Sequence, residues 1–265
     1  MTAISASLVK ELRDATGAGM MECKRALEET GGDIEAARVL LRERGLASAA
    51  KRAGRQTSEG IVGYRVSDHH ATMVAVGCET EPVSKNEEFQ AFAKKVLDVV
   101  DAEGAGAEAK LEDERQQVVA KLGENIVVAG AARFEQVDGG RLDAYVHPPA
   151  NKLGVLVQVR GGSGDLAKKL AMHIAASAPQ WIAREDVPGE LVDSEREIYA
   201  NSDELEGKPE QAREKIVEGM LNKRFFAAQV LGDQPWIHDD KQTVAQVLAD
   251  EGAEVLEFER FALAG

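Results

Sequence analysis

The chain has 265 residues, with 32 Lys and Arg against 46 Asp and Glu, a formal charge of −14. Hydrophobic residues at 44% exclude wholesale disorder, and aromatics at 5% exclude a core built on ring clusters. The charge argues against the whole chain wrapping nucleic acid or an anionic membrane, because phosphates attract Lys and Arg.

Two cysteines, Cys23 and Cys78, make neither a disulfide framework nor a CxxC pair. No run of about 18 apolar residues is present to span a bilayer, and Met1–Lys10 carries no secretory pattern. The expectation is a soluble, cytoplasmic chain of about one to three domains.

The first 45 residues read as a three-helix domain. Leu8, Leu12 and Ala15 share one face, Met20, Cys23 and Leu27 a second, and Ile34, Ala37 and Leu41 a third. Met20 is assigned to the core by this spacing. Gly17 and Gly19 separate the first two helices, Asp33 is placed to cap the third, and Gly45 is expected to close it. Residues 46–58, with Lys51, Arg52 and Arg55, read as a polar linker or helix extension. No aromatic is interleaved there to stack on bases.

From Glu59 the period changes to two. Val62, Tyr64 and Val66, then Thr72, Val74 and Val76, predict a β-hairpin. A polar loop from Cys78 to Asn86 precedes a helix striped by Phe89, Phe92, Ala93, Val96 and Val100. A charged helix over about 111–122 and a strand over about 125–135 complete this first core unit, residues 59–140. Residues 141–265 repeat the plan. Strands at 144–147 and 154–159 are followed by the Gly161–Asp165 loop and a helix containing Leu166-Ala-Lys-Lys-Leu170, matching Phe92-Ala-Lys-Lys-Val96. Both units close on a strand with an Arg-Phe pair, Arg133-Phe134 and Arg260-Phe261. A diverged duplication is the preferred reading. The second unit alone contains a charged helical hairpin, 190–227, jointed at Glu206-Gly-Lys-Pro209. The fold class is therefore α+β.

No chemistry stands out. GxxxxGK[ST], GxSxG and HExxH are absent. His69 and His70 are adjacent and point to opposite faces. His173 reads as a packed core histidine, and His147, just before Pro148-Pro149, as an exposed loop residue. No catalytic group, cofactor site or metal site is assigned. A helical binding module on an unrelated core and an uncharacterised hydrolase stay open as alternatives. The hydrolase would need perturbed groups clustered in a deep pocket.

The segment Thr16-Gly-Ala-Gly-Met-Met-Glu-Cys-Lys-Arg-Ala-Leu27 carries a resemblance. It is followed in order by Gly31-Gly-Asp33, Cys78-Glu-Thr80, Lys121-Leu-Gly-Glu-Asn125, Ala171-Met-His-Ile-Ala-Ala176, Gly207-Lys-Pro-Glu210 and Val217-Glu-Gly219. Together these resemble the bacterial translation elongation factor Ts family across essentially the whole chain. The resemblance implies a UBA-like helical domain, two α+β core subdomains and a coiled-coil hairpin. It also implies a guanine-nucleotide exchange factor, not an enzyme, that binds elongation factor Tu with GDP or nucleotide-free and binds no nucleic acid directly.

In the family a Thr-Asp-Phe-Val segment enters the partner near its magnesium site and helps dislodge the ion. The matching residues here are Thr80, Glu81, Pro82 and Val83, so the aromatic wedge is replaced by proline. Other contacts implied by the resemblance are Met20, Met21 and Lys24, then Leu122 and Gly123, and His147. The family's longer versions carry a further C-terminal helical module that this sequence lacks, so that contact is expected to be absent or replaced. A homodimer is compatible with the sequence, and the role of the 190–227 hairpin is open.

Overall fold

The computed structural model describes residues 4–263. Three helices come first: α1 (Ala6–Thr16), α2 (Met20–Glu29) and α3 (Ile34–Arg52). The Ser5 hydroxyl accepts the Leu8 N–H at 3.2 Å and opens α1, and Gly17 closes it at φ +68° with its N–H on the Arg13 carbonyl. Asp33 caps α3 as its sequence suggests, accepting the N–H groups of Glu35 and Ala36 at 3.0 Å each. The small core consists of Val9, Leu12, Cys23, Ala26, Leu27 and Ala37.

Two expectations are corrected here. Met20 lies outside the core, because the α2 face turned inward is the one carrying Cys23, Ala26 and Leu27; Met20 and Met21 are 54% and 63% exposed. Gly45 does not end α3, which runs on to Arg52, so the expected linker 46–58 is helical in its first half. A Cβ at Gly45 would sit 3.0 Å from the Ala120 Cβ. The glycine lets α3 lie close against the first core unit, which gives an otherwise marginal three-helix core a second surface to bury.

The core holds two three-stranded antiparallel sheets. The first contains β1 (Glu59–Val66), β2 (His70–Cys78) and β3 (Ile126–Glu135), in the order β1-β2-β3. Between β2 and β3 lie the single helical turn α4 (Glu81–Ser84), α5 (Glu87–Glu103) and α6 (Glu112–Leu122). The second sheet contains β4 (Gly140–Val146), β5 (Leu153–Arg160) and β8 (Glu254–Ala262), in the order β4-β5-β8. Helix α7 (Leu166–Ser177) follows β5.

The sheets meet face to face. Val62, Ala71, Met73, Ala75 and Ala132 pack against Leu142, Ala144 and Leu156. Gly154 permits the approach, since a Cβ there would lie 2.6 Å from Val62 Cγ1 and 3.0 Å from Met73 Sδ. The outer faces are covered by helices. On the first sheet the predicted stripe of α5, Phe89, Phe92, Ala93, Val96 and Val100, is fully buried on Val74, Val76 and Cys78. Each of its larger side chains contributes about 1.5–3 kcal/mol of burial. On the second sheet α7 and α11 (Val244–Asp250) play the same part.

The repeat seen in the sequence recurs in the backbone. The β2–β3 register shifts between Ala75 and Val76, leaving Ala129 unpaired, and the β5–β8 register shifts between Gln158 and Val159, leaving Leu256 unpaired. Ala129 and Leu256 precede Arg133-Phe134 and Arg260-Phe261 at the same spacing.

The helical hairpin consists of α8 (Gly189–Ala200) and α9 (Glu210–Met220), with Gly207 at φ +70° and Pro209 just before α9. Arg196 pairs with Glu218 at 2.8 Å and Arg224 with Glu204 at 2.6 Å across it. Helix α8 buries no side chain fully. The return path, a π-helical stretch from Leu221 to Phe226 and then α10 (Ala227–Gln229), anchors the hairpin through Leu221, Phe225 and Phe226 against Val187, Val230 and Trp181. A short ribbon, β6 (Pro235–Trp236) with β7 (Asp239–Thr243), leads into α11.

Candidate functional site

The residues after β2 form a helical turn rather than an open loop. Thr80 occupies the N-cap position in extended backbone, and Glu81, Pro82 and Val83 make the turn, closed by Ser84 N–H on the Thr80 carbonyl at 3.1 Å and Lys85 N–H on the Glu81 carbonyl at 3.2 Å. Proline is suited to this place. Its missing N–H would have no partner in the first turn, and its fixed φ is already helical. Glu81 and Pro82 are exposed, while Val83 rests partly on the α5 core. The Lys85 ammonium, 2.6 Å from the Glu81 carboxylate, holds that carboxyl below its ordinary range, with a smaller pull from Lys152.

Leu122 and Gly123 lie beside this turn. Leu122 ends α6 and packs partly against the first core unit, so it is both a core residue and an accessible one. Gly123 adopts φ +77° and its N–H reaches the Val119 carbonyl at 2.9 Å. The link between the two segments is polar. Glu124 accepts the Thr80 hydroxyl at 2.5 Å, the Thr80 N–H at 3.0 Å and the Glu79 N–H at 3.1 Å. Glu79 in turn accepts the Asn125 N–H at 2.6 Å and faces Arg55 at 3.4 Å. The Asn125 side chain donates to the Arg55 carbonyl at 2.8 Å, so the end of the expected linker is stitched to the same corner. Beneath it the Cys78 thiol donates to the Thr80 carbonyl at 3.4 Å. Burial, aided by Glu124, pushes that thiol up to about 12, which leaves it unreactive.

The N-terminal domain reaches this corner through Thr16-Gly-Ala-Gly19. Gly17 lies so close to Lys121 that a Cβ would overlap that side chain. Lys121 also pairs with Glu88 at the start of α5. On the same helical domain Met20, Met21 and Lys24 are exposed, Lys24 facing Glu28 at 3.7 Å. The structure thus joins residues 80–83 and 122–123 at one corner, and the loop between α1 and α2 meets that corner at Gly17. His147 stands apart, exposed at the end of β4, with the Tyr145 hydroxyl 2.7 Å from its Nδ1.

Glu79, Glu124, Asn125, Arg55 and Gly17 belong to this corner, although the sequence marks Gly17 only as a helix break, Arg55 only as part of the linker, and none of the five as a site residue. The signal was present in Lys121-Leu-Gly-Glu-Asn125, where only Leu122 and Gly123 were singled out. His173 fulfils its expected core role: it is fully buried against Trp236, its Nε2 lies 3.0 Å from Gln234 Oε1, and burial lowers its pKa. Among the described residues no His, Cys, Asp and Glu group is arranged to hold a metal ion, and no helix is long and apolar enough to cross a membrane.

Comparison with known proteins gives the corner a family. A family model described as Elongation factor TS matches residues 79–265. The elongation factor Ts of Thioalkalivibrio sulfidiphilus is 45% identical, over 97% of this chain and 91% of that protein. Those of Aeromonas hydrophila and Escherichia coli are 43% and 42% identical, each over 98% of this chain and over 91% and 92% of their own lengths. Relatives of this closeness over nearly the full length, together with a family match that includes Thr80–Val83 and Lys121–Asn125, mean that the chain belongs to the elongation factor Ts family of translation elongation factors.

Proposed function

We propose that this chain is a cytoplasmic guanine-nucleotide exchange factor for elongation factor Tu, acting by binding alone and contacting no nucleic acid itself. The observation that carries the reading is the joining of accessible groups at one corner: the exposed Glu81 and Pro82 and the half-buried Val83, Leu122 and Gly123, tied by Glu124, with the N-terminal helical domain meeting Lys121 at Gly17. Two large exposed methionines on the helical domain and a rigid, proline-fixed turn on the first core unit suit a protein partner. Flexible thioethers adapt to an apolar pocket, and the turn is ordered before binding.

Exchange consumes nothing. In the ternary complex the factor and GDP weaken each other, and linkage makes that weakening mutual. On this reading the turn enters beside the partner's magnesium site, where loss of the ion removes the strongest counter-charge to the phosphates. Glu81 supplies a carboxylate for that step. Its pairing with Lys85 is solvent-exposed and screened, and it breaks readily on contact. Pro82 supplies rigidity where the family carries a ring, so the turn acts by displacing the partner's segments as a fixed body. His147 serves as a separate contact on the second core unit.

Release of fluorescent GDP from elongation factor Tu tests the proposal. The chain is expected to accelerate release and to be retained with elongation factor Tu in a pull-down, and Glu81→Ala and Pro82→Ala are expected to slow it. Retention without acceleration would favour a simple binding module. Unchanged rates in both variants would remove the turn from the mechanism.

A further inference from the structure

We infer that Glu124 is a positioning residue for exchange: its carboxylate locks the Thr80–Val83 turn to Leu122-Gly123, so that the two segments meet the partner as one rigid wedge. The inference rests on the exchange reading above and assigns a role to a residue that need not touch the partner.

The geometry begins in the sheet. Strands β2 and β3 pair up to Cys78 with Ile126. Beyond that pair the backbones would have to stay about 5 Å apart to keep exchanging hydrogen bonds. They are instead bridged by side chains. Glu124 takes the N–H groups of Glu79 and Thr80, and Glu79 takes the N–H of Asn125. The two carboxylates replace the ladder with longer arms, which lets the chains splay while the N–H groups of Glu79, Thr80 and Asn125 stay bonded. Thr80 is held at each polar atom. Its N–H and hydroxyl go to Glu124, and its carbonyl receives Cys78 and Ser84. Hydrogen bonds to an ionised carboxylate are about twice as strong as neutral ones, so this is a firm clasp for a solvent-facing corner.

The second core unit supplies an internal comparison. Glu251 stands to Leu256, Arg260 and Phe261 at the same spacing as Glu124 stands to Ala129, Arg133 and Phe134. It also caps the loop after its unit's central strand, accepting the Ser163 N–H at 2.7 Å. A carboxylate on a backbone N–H of that loop is thus common to both copies and belongs to the fold. The Ser163 hydroxyl also bonds Glu251, as the Thr80 hydroxyl bonds Glu124; the second backbone N–H, that of Glu79, is the addition in the first copy, at the turn that the exchange reading uses. The elaboration follows the proposed function, and the shared bonds follow the architecture.

The test measures fluorescent-GDP release from elongation factor Tu over a range of factor concentrations, separating the maximal rate from the half-saturating concentration. Glu124→Ala is expected to lower the maximal rate about tenfold or more, the scale reached when a working group shifts by about 1 Å. Glu124→Gln, which keeps an acceptor for the two N–H groups, is expected to restore most of it. Glu251→Ala, which removes the matching carboxylate from the other copy, is expected to leave the maximal rate at the wild-type value. Amide hydrogen exchange on the free protein is the second readout: in Glu124→Ala the Glu79 and Thr80 amides should exchange faster while those of Val74–Val76 stay protected.

A wild-type protein that leaves GDP release at its intrinsic rate overturns the exchange reading, and the positioning role with it. A wild-type acceleration matched by Glu124→Ala overturns the positioning role alone. So does an equal loss in Glu124→Ala and Glu251→Ala, or a Glu124→Ala variant whose central-strand amides lose protection together with Glu79 and Thr80.

Discussion

The two core units share strand order, bulge position and a Lys-Lys helix, yet they leave their central strands by different physical means. In the second unit the exit is a glycine turn. Gly161 and Gly162 both adopt φ +75°, and a Cβ at Gly161 would overlap the Gly252 carbonyl. In the first unit no glycine occurs between Glu79 and Asn86; a proline, a helical turn and carboxylate side chains do the work. A glycine turn is compact and presents little to a partner. A turn held by side chains can project exposed groups while remaining ordered, and that is the unit that carries Glu81 and Pro82. The comparison of the two units thus separates the demands of the fold, met in both, from features present in one.

Breaking the second unit's turn gives the largest expected effect. Gly161→Ala combines a left-handed φ with a backbone overlap that no rotamer relieves, and a loss of about 3 kcal/mol in urea unfolding is expected. A loss below about 1 kcal/mol would show that the turn can shift, and would weaken the contrast between the copies. Next comes the seam between the units. Gly154→Val would press on Val62 and Met73, both side chains with some freedom, and should cost about 2 kcal/mol.

His173 separates the units by pH. It is buried in the second unit, where Nδ1 accepts the Ile237 N–H at 3.4 Å and Nε2 donates to Gln234. The Gln234 amide already donates to the Ser177 and Ala228 carbonyls, so its oxygen is the end that faces the ring and the imidazole is the neutral Nε2–H form. Burial depresses its pKa below the ordinary 6.5. The unfolded chain therefore binds the proton first as pH falls, so this contribution to stability is complete above about 6.5 and is lost from there down to the depressed native value. His173→Gln is expected to cost about 1–2 kcal/mol at neutral pH through disturbed hydrogen bonds. It should also flatten the slope of stability against pH below about 6.5. An unchanged slope would assign the acid sensitivity to other groups.

The comparison also shows what a sequence displays. Periodicity located α5 and its buried stripe, both hairpins and the hinge at Gly207-Lys-Pro209, because each follows from local spacing or backbone restriction. The Glu124 clasp is not legible as a contact, because it joins residues far apart in sequence through side chains; the Lys121–Asn125 motif marks the segment but not what its glutamate meets. Gly45 misled for a related reason. A glycine that ends a helix and one that admits a neighbouring helix look the same until Ala120 is in place. Met20 misled because an i, i+3, i+7 pattern also fits the face one step round, and Ala26 won that position against α1 and α3.

That last correction carries the smallest stability effect and the sharpest functional one. A core methionine cut to alanine costs about 2–5 kcal/mol, whereas a surface one changes stability by about 0.5 kcal/mol or less. At 54% and 63% exposure Met20 and Met21 belong to the second class, so both alanine variants should melt with the wild type. If the exposed pair is a partner contact, the same variants should weaken association with elongation factor Tu by about 1–2 kcal/mol, roughly five- to thirtyfold in Kd. Titration of each variant against elongation factor Tu, alongside its unfolding curve, decides the matter. Lost stability would return Met20 to the core, and unchanged affinity would leave the start of α2 a bystander to the 80–83 turn.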